Sequence, residues 1–166
     1  MQHDVGKIYV QLFDMALGKW AGVPGGLCVF SEECGRALAL EHDGSLYSCD
    51  HFVYPDFKVG NLREQSVAAL VDSAFQENFG KSKKSTLPKF CRECPVLFTC
   101  NGACPKHRFL LTPDNEPGLN YLCSGYKFVF GKMDPYMKAM ADLYQRGQAP
   151  AQVMDLIRQK RLPKPA

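Results

Sequence analysis

The sequence has no apolar run approaching the roughly 20 residues that span a bilayer, so no membrane-crossing helix is expected. Its first residues, "MQHDVGKIYV", lack a basic segment followed by an apolar stretch, and no export signal is read there. Excess charge of one sign is nearly absent as well. The net charge is +3, and the basic residues sit in short stretches, "KSKK" (81–84) and "RQKRLPKPA" (158–166), without interleaved aromatics. Both stretches read as solvated surface, which sets nucleic acid and membrane aside as partners. There is no internal repeat, and no boundary splits the chain. What remains is 166 residues, 46% hydrophobic and 22% charged. That suits one domain with a real core, or a small core wrapped round metal sites.

Against these absences stand eight cysteines. Four fall within "FCRECPVLFTCNGACPKHRF" (90–109): Cys91, Cys94, Cys100 and Cys104. The others are Cys28, Cys34, Cys49 and Cys123. A disulfide framework belongs in an oxidising compartment, whereas a chain without an export signal is expected to be cytoplasmic, with reduced thiols free to ligate metal. Cys91-Arg-Glu-Cys94 is a CxxC, whose two thiolates reach one centre from a single tight turn. Cys100-Asn-Gly-Ala-Cys104 is a CxxxC in which Gly102 lets the backbone curl. Eight thiols divide into two sets of four, and four thiolates suit tetrahedral zinc or a cubane iron–sulfur cluster. Spacing alone does not separate these, and zinc is the more frequent structural solution.

The remaining elements follow from periodicity. Residues 5–20 predict an amphipathic helix with Ile8, Leu12, Met15, Ala16 and Trp20 on its inner face, broken by "AGVPGG" (21–26). Ala37–Glu41 and Ser45–Cys49 predict a hairpin around "HDG", which brings Cys34 and Cys49 together at its base. "FKVGNL" (57–62) is extended, and 63–79 predicts a helix with Val67, Leu70, Val71 and Ala74 inward. The cysteine-dense segment, with two prolines and a glycine in "CPVLFTCNGACP", predicts tight loops and one helical turn, fixed by something other than a hydrophobic core. Residues 111–123 read as a loop. Residues 124–147 read as helical with Pro135 opening the longer helix, and 150–160 as a last helix with Pro150 at its start. Tyr47, Phe52, Tyr54 and Phe57 read as packing around the hairpin. The fold class is α+β: a small hairpin and cysteine-rich loops around two metal clusters, flanked by N- and C-terminal helices.

The full pattern is C-x9-G-x4-C (Cys34, Gly44, Cys49), then C-x2-C-x5-C-x3-C (Cys91 to Cys104), then Cys123, with Cys28 six residues before Cys34. This pattern, with the flanking "GSLYSCDHFVYPDFKVGNL" (44–62), resembles the SPASM domain of radical S-adenosylmethionine enzymes. Among these it is most similar to the anaerobic sulfatase-maturating enzymes, often called arylsulfatase regulators. The resemblance implies two auxiliary [4Fe-4S] clusters. Cys28, Cys34, Cys49 and Cys104 would hold the first, and Cys91, Cys94, Cys100 and Cys123 the second. It implies a general base at Asp50, beside Cys49. On spacing alone Asp50 is a surface or turn aspartate.

In enzymes of that kind a 5′-deoxyadenosyl radical removes a hydrogen from the Cβ of a cysteine or serine in an unfolded sulfatase segment. The base takes the thiol or hydroxyl proton and one electron leaves, giving Cα-formylglycine. Full cysteine ligation leaves no open iron, which implies electron transfer or structure rather than Lewis acidity. His51 and His107 are surplus as ligands once eight thiols fill two four-coordinate sites, and read as outer-layer or surface groups.

The CxxxCxxC of the catalytic cluster is missing: His107 stands where a third cysteine would follow Cys100 and Cys104. Nor is there a run of alternating strands and helices for a barrel. The expectation is therefore the C-terminal part of a larger oxidoreductase, inactive alone, with S-adenosylmethionine bound only by a separate radical domain. An N-terminal helix and linker (1–26), a SPASM-like cluster-binding domain (27–130), and C-terminal helices with a tail (131–166) are expected. The rivals are a zinc-binding interaction module with two tetrathiolate sites and the SPASM domain of another peptide-modifying maturase.

Overall fold

A computed structural model describes residues 4–24 and 26–162. Residues 1–3 of the N-terminal stretch, Gly25 of the 21–26 break and the end of the basic tail, 163–166, lie outside the described residues. In chain order the elements are α1 (Gln11–Trp20), β1 (Ala39–Leu40), β2 (Ser45–Tyr47), β3 (Lys58–Asn61), α2 (Val67–Val71), α3 (Ala74–Ser85), α4 (Lys89–Arg92), α5 (Leu97–Cys100), β4 (Leu110–Leu111), β5 (Pro117–Leu119), α6 (Cys123–Gln145) and α7 (Val153–Arg158). Helices beside small antiparallel sheets make this the α+β class expected. The chain forms two units that alternate in sequence. One is Met1–Leu27, Pro95–Cys100 and Leu122–Ala166; the other is Cys28–Cys94 and Asn101–Tyr121.

The first unit is helical. Helix α1 starts at Gln11, not at residue 5, because the N–H groups of Lys7 and Ile8 both turn back to the Asp4 carbonyl and Gly6 has a φ of +82°. A left-handed residue stops helix propagation. Ile8 is accordingly 62% exposed, a correction to the inner face predicted for it. Met15 and Ala16 are buried as expected, and Trp20 donates from Nε1 to Asp134 Oδ1 at 3.0 Å, its ring edge-on to Phe98. Helix α6 runs through Pro135 instead of being opened by it. An interior proline costs about 3 kcal/mol. Burial of Phe130, Met133, Met137 and Ala141 along one face offsets this, each large side chain contributing about 1.5–3 kcal/mol. A turn at Pro150–Gln152 leads into α7, whose Val153, Met154 and Ile157 pack against Tyr136, Met140 and Leu143. No described helix is long and apolar enough to cross a membrane.

The second unit holds a three-stranded antiparallel sheet in the order β1-β2-β3. The predicted hairpin is present but short, pairing Ala39 with Tyr47 and Leu40 with Leu46. Gly44 makes its turn possible: φ is +86°, and an added Cβ would lie 2.9 Å from Asn61 Oδ1. The extended piece at 57–62 becomes β3, with a bulge opposite Leu46 and Tyr47. Leu70 rests on Gly60 of that strand, where a Cβ would come within 2.4 Å of its Cδ2.

The helix predicted over 63–79 is broken at Asp72–Ser73 into α2 and α3. Serine caps begin both: Ser66 accepts from the Ala69 N–H and Ser73 from the Gln76 N–H. The break rotates the buried face. Leu70 stays inside, Val67 is 54% exposed and Ala74 is exposed, while α3 buries Gln76, Gly80 and Lys83. Lys83 also corrects the reading of "KSKK" as solvated, since only 1% of it is exposed. Its neighbours Lys81 and Lys84 do lie outside, paired with Glu77 and Glu32.

Phe52 and Phe57 pack edge-to-face with each other and with Phe79, whereas Tyr54 is exposed and accepts from Lys106. The cysteine-dense segment contains two short helices, α4 and α5, rather than one helical turn. The predicted loop at 111–123 contributes to the β4–β5 pair.

Candidate metal centre

All eight cysteines are free thiols. Cys28, Cys34, Cys49, Cys91, Cys94 and Cys104 belong to the second unit, and Cys100 and Cys123 to the first. Within the second unit, the charges that act on the Cys34 thiol come from Lys83, Cys104, Cys28 and Arg108, and Cys34 in turn acts on Cys49. Four thiols far apart in sequence thus share one neighbourhood. Burial pushes the Cys34 thiol above its ordinary value. Burial, and then the hydrogen bond Cys49 donates to Asp50, pushes Cys49 up to about 11. As free thiols Cys34 and Cys49 are therefore protonated at neutral pH, and binding a metal through them must release those protons.

None of these cysteines lies within a strand, and side-chain donors add to the backbone turns in holding the surrounding carbonyls. Lys83 Nζ donates to the carbonyls of Cys28 (2.6 Å) and Val29 (3.1 Å). Asn101 Nδ2 donates to Phe30, and Gln76 Nε2 donates to Ser48 and more distantly to Gly35. The Cys34 N–H donates to the Gly80 carbonyl at 3.1 Å. Between Cys100 and Cys104 the chain makes three successive left-handed residues, Asn101, Gly102 and Ala103, at φ +48°, +66° and +52°. Arg108 gathers their carbonyls, with Nε to Gly102 and Nη2 to Asn101 and Ala103, while Nη1 reaches the Lys83 carbonyl. Asn120 Nδ2 adds longer bonds to Gly102 and Cys104.

Sequence reasoning missed these clamps: Gln76, Lys83, Asn101, Arg108 and Asn120. One signal was available. Gln76, Gly80 and Lys83 recur at i, i+4 and i+7, a buried stripe disguised by polarity.

Asp50, singled out from the sequence, is exposed beside Cys49. Its Oδ1 accepts from the Cys49 thiol and from the His51 N–H, both at 3.0 Å. The bond from Cys49 holds its carboxyl below the usual carboxylate range. Once Cys49 ligates metal it has no proton to donate, and Asp50 keeps only the backbone bond and is free to accept from another group. His51 Nδ1 lies 3.4 Å from Cys104 Sγ, and the His51 and His107 rings are 6.1 Å apart, so both histidines border the thiols.

Does this donor set fit an iron–sulfur cluster? Among the described residues no three His, Cys, Asp or Glu side chains converge closely enough to hold one metal ion. A cubane distributes four thiolates over four irons and does not need them at a single point. The buried Ser48 hydroxyl, next to Cys49, has no hydrogen-bond partner and is a donor available to sulfide. Thiol-only donors, the buried Lys83 cation and a spare hydroxyl fit the group.

Residues 28–95 match the family model of SPASM, an iron–sulfur cluster-binding domain. Over 158 residues the chain is 46% identical to a serine-type anaerobic sulfatase-maturating enzyme of Bacteroides thetaiotaomicron, covering 95% of this chain and 38% of that protein. It is 38% identical over 123 residues to a serine-type enzyme of Klebsiella pneumoniae (74% of this chain, 29% of the other). It is 29% identical over 103 residues to a cysteine-type enzyme of Clostridium perfringens (62% and 27%). A solved structure of anSMEcpe with bound AdoMet and the Kp18Cys peptide superposes with a TM-score of 0.70 at 25% identity, over 84% of this chain and 38% of that one. The chain thus spans under two-fifths of the length of these relatives. Residues 28–95 thus carry the match to SPASM, an iron–sulfur cluster-binding domain, and over most of its length the chain is similar to part of the anaerobic sulfatase-maturating enzymes.

Proposed function

We propose that this chain is the auxiliary-cluster part of a radical S-adenosylmethionine enzyme that oxidises a cysteine or serine of an unfolded sulfatase segment to Cα-formylglycine. The observation that carries the reading is Asp50, an exposed carboxylate joined directly to the neighbourhood of Cys28, Cys34, Cys49 and Cys104. Those four thiols are assigned to one [4Fe-4S] cluster. By resemblance, Cys91, Cys94, Cys100 and Cys123 are assigned to a second. Such clusters supply one-electron acceptance when bound, which suits a reaction that removes a hydrogen atom, a proton and an electron from the substrate.

The chain's own residues do the rest. Lys83, Gln76, Asn101 and Arg108 fix the backbone around the thiols, so that little rearrangement accompanies a change of charge. Asp50, ionised at neutral pH, accepts the substrate thiol or hydroxyl proton within hydrogen-bond reach. The His51 N–H orients the carboxylate for that role.

The test uses the full-length enzyme carrying this segment, reconstituted without oxygen. Asp50→Asn is expected to retain the auxiliary iron (about eight atoms for two cubanes) and to lose formylglycine formation on both serine- and cysteine-containing peptides. Turnover equal to wild type would remove Asp50 as the base. Colourless protein that binds two zinc ions and no iron would favour the interaction-module reading instead.

A further inference from the structure

Lys83 is among the largest of the fully buried side chains in the described residues, and it is a cation. Its ammonium donates to two carbonyls, those of Cys28 and Val29, rather than to a carboxylate. The charged groups acting on it include Cys34, Cys28 and Cys104, with Arg108 as a second cation nearby. An ammonium taken out of water without an anion is strongly disfavoured. The thiols around Lys83 are the groups that become anionic when they ligate metal.

We infer that Lys83 is a fixed internal countercharge for the Cys28, Cys34, Cys49 and Cys104 site, a positioning residue that raises the reduction potential of the cluster bound there. This rests on the iron–sulfur reading above. Two features of the fold make it more than a packing role. The Lys83 backbone carbonyl is held by Arg108, whose guanidinium also fixes the loop leading into Cys104, so both cations are tied to the same ligand loops. Cys28, the exposed member of the set, has its carbonyl gripped by Lys83 at 2.6 Å. Adding an electron makes a cluster with four cysteinates more negative, and net charge is among the quantities that set its potential. A buried cation therefore stabilises the reduced form more than the oxidised form, because low surrounding polarity leaves its field poorly screened.

A purely structural lysine would donate to its two carbonyls and do nothing else. Lys83→Gln keeps a donor without charge, Lys83→Met keeps an apolar stem of similar length, and Lys83→Arg keeps the charge. The three variants and wild type are compared as the 166-residue chain, reconstituted with iron and sulfide without oxygen. Iron per chain is measured, with redox titration followed by electron paramagnetic resonance. Cys91→Ala/Cys94→Ala identifies the transition that belongs to the remaining set of thiols.

For that transition, Lys83→Gln and Lys83→Met are expected to lower the reduced-to-oxidised ratio at the wild-type midpoint by about tenfold, equivalent to about 59 mV for one electron. Lys83→Arg stays near wild type. If the neutral variants do not retain iron at this site, retention in Lys83→Arg supports the countercharge, and equal loss in Lys83→Arg overturns it. Neutral variants that load fully and titrate as wild type overturn the role of Lys83 and leave the cluster reading standing. Wild-type chain that takes up no iron overturns the cluster reading, and the countercharge with it.

Discussion

Replacing Gly80 by alanine sets two opposed effects against each other. Gly80 lies inside α3, where alanine ordinarily improves a helix by about 1 kcal/mol. Here an added Cβ would stand 2.8 Å from the carbonyl oxygen of Cys34, a backbone atom that cannot swing aside. Restoring an ordinary contact requires α3 and Cys34 to separate by about 0.6 Å in tightly packed surroundings. That shift breaks or stretches the bond from the Cys34 N–H to the Gly80 carbonyl, worth about 1 kcal/mol. Overpacking costs a further 1–3 kcal/mol or so. After the helix gain is subtracted, Gly80→Ala is expected to destabilise the chain by about 1–3 kcal/mol. At about 2–4 °C per kcal/mol for this size, Tm falls by about 2–12 °C.

Gly131→Ala is the control. Gly131 is also interior to a helix, α6, but beyond its own stretch of helix nothing lies within 4 Å of its Cβ position, so the substitution should stabilise by up to about 1 kcal/mol. The assay is thermal melting of the reduced, metal-free chain by circular dichroism, followed by iron content after reconstitution. Gly80→Ala should also lose iron from the site that includes Cys34. A Gly80→Ala chain that melts at or above wild type and loads all its iron would refute the reasoning.

Gly102→Ala faces a positive φ of 66° and places its Cβ 2.4 Å from Leu87 Cδ2 and 2.8 Å from Arg108 Nη2. It is expected to cost more than about 2 kcal/mol and to lower iron uptake, read by denaturant melts and iron assay. Trp20→Phe removes the chain's single tryptophan and its bond to Asp134. A loss of about 1–2 kcal/mol is expected by urea unfolding followed by circular dichroism, with iron content unchanged. Asp43 is held below its ordinary value of 3.8 first by the Ser45 N–H and then by the Ser45 hydroxyl. Its stabilisation is therefore present above pH 3.8 and lost as pH falls through the lowered value. Asp43→Asn keeps an acceptor that does not titrate, so its Tm should fall less steeply than wild type between pH 5 and pH 2.

The hairpin was legible because its signals are local. Asp43-Gly44 names the turn, alternation names the strands, and Cys34 and Cys49 follow at the base. Other features depend on partners distant in sequence. Pro135 reads as a helix start by every local rule, yet α6 continues through it because the apolar face on both sides is buried. Helix 63–79 failed at Ser73, whose capping role was hidden within a plausible amphipathic period. Lys83 was misread for a related reason. A lysine between lysines looks solvated, and only the loop of Cys28 and Val29, 54 to 55 residues earlier, supplies the carbonyls that draw it inward. The thiol pattern itself was plain, but among the side chains that hold the backbone around the thiols only Gln76 and Lys83 share a helical spacing, and Asn101, Arg108 and Asn120 follow none.

The bond from Asn101 to the Phe30 carbonyl closes a gap of 71 residues. At ordinary elongation rates of about 5–20 residues per second, Cys28, Cys34 and Cys49 are made roughly 3–15 s before Asn101 exists to hold the Phe30 carbonyl. Until then these nucleophilic sulfurs are unshielded, open to oxygen and to whichever soft cation is most abundant. Loading of the site proposed for Cys28, Cys34, Cys49 and Cys104 therefore cannot precede synthesis of residues 101–104, and the earlier sulfurs wait unguarded through that interval.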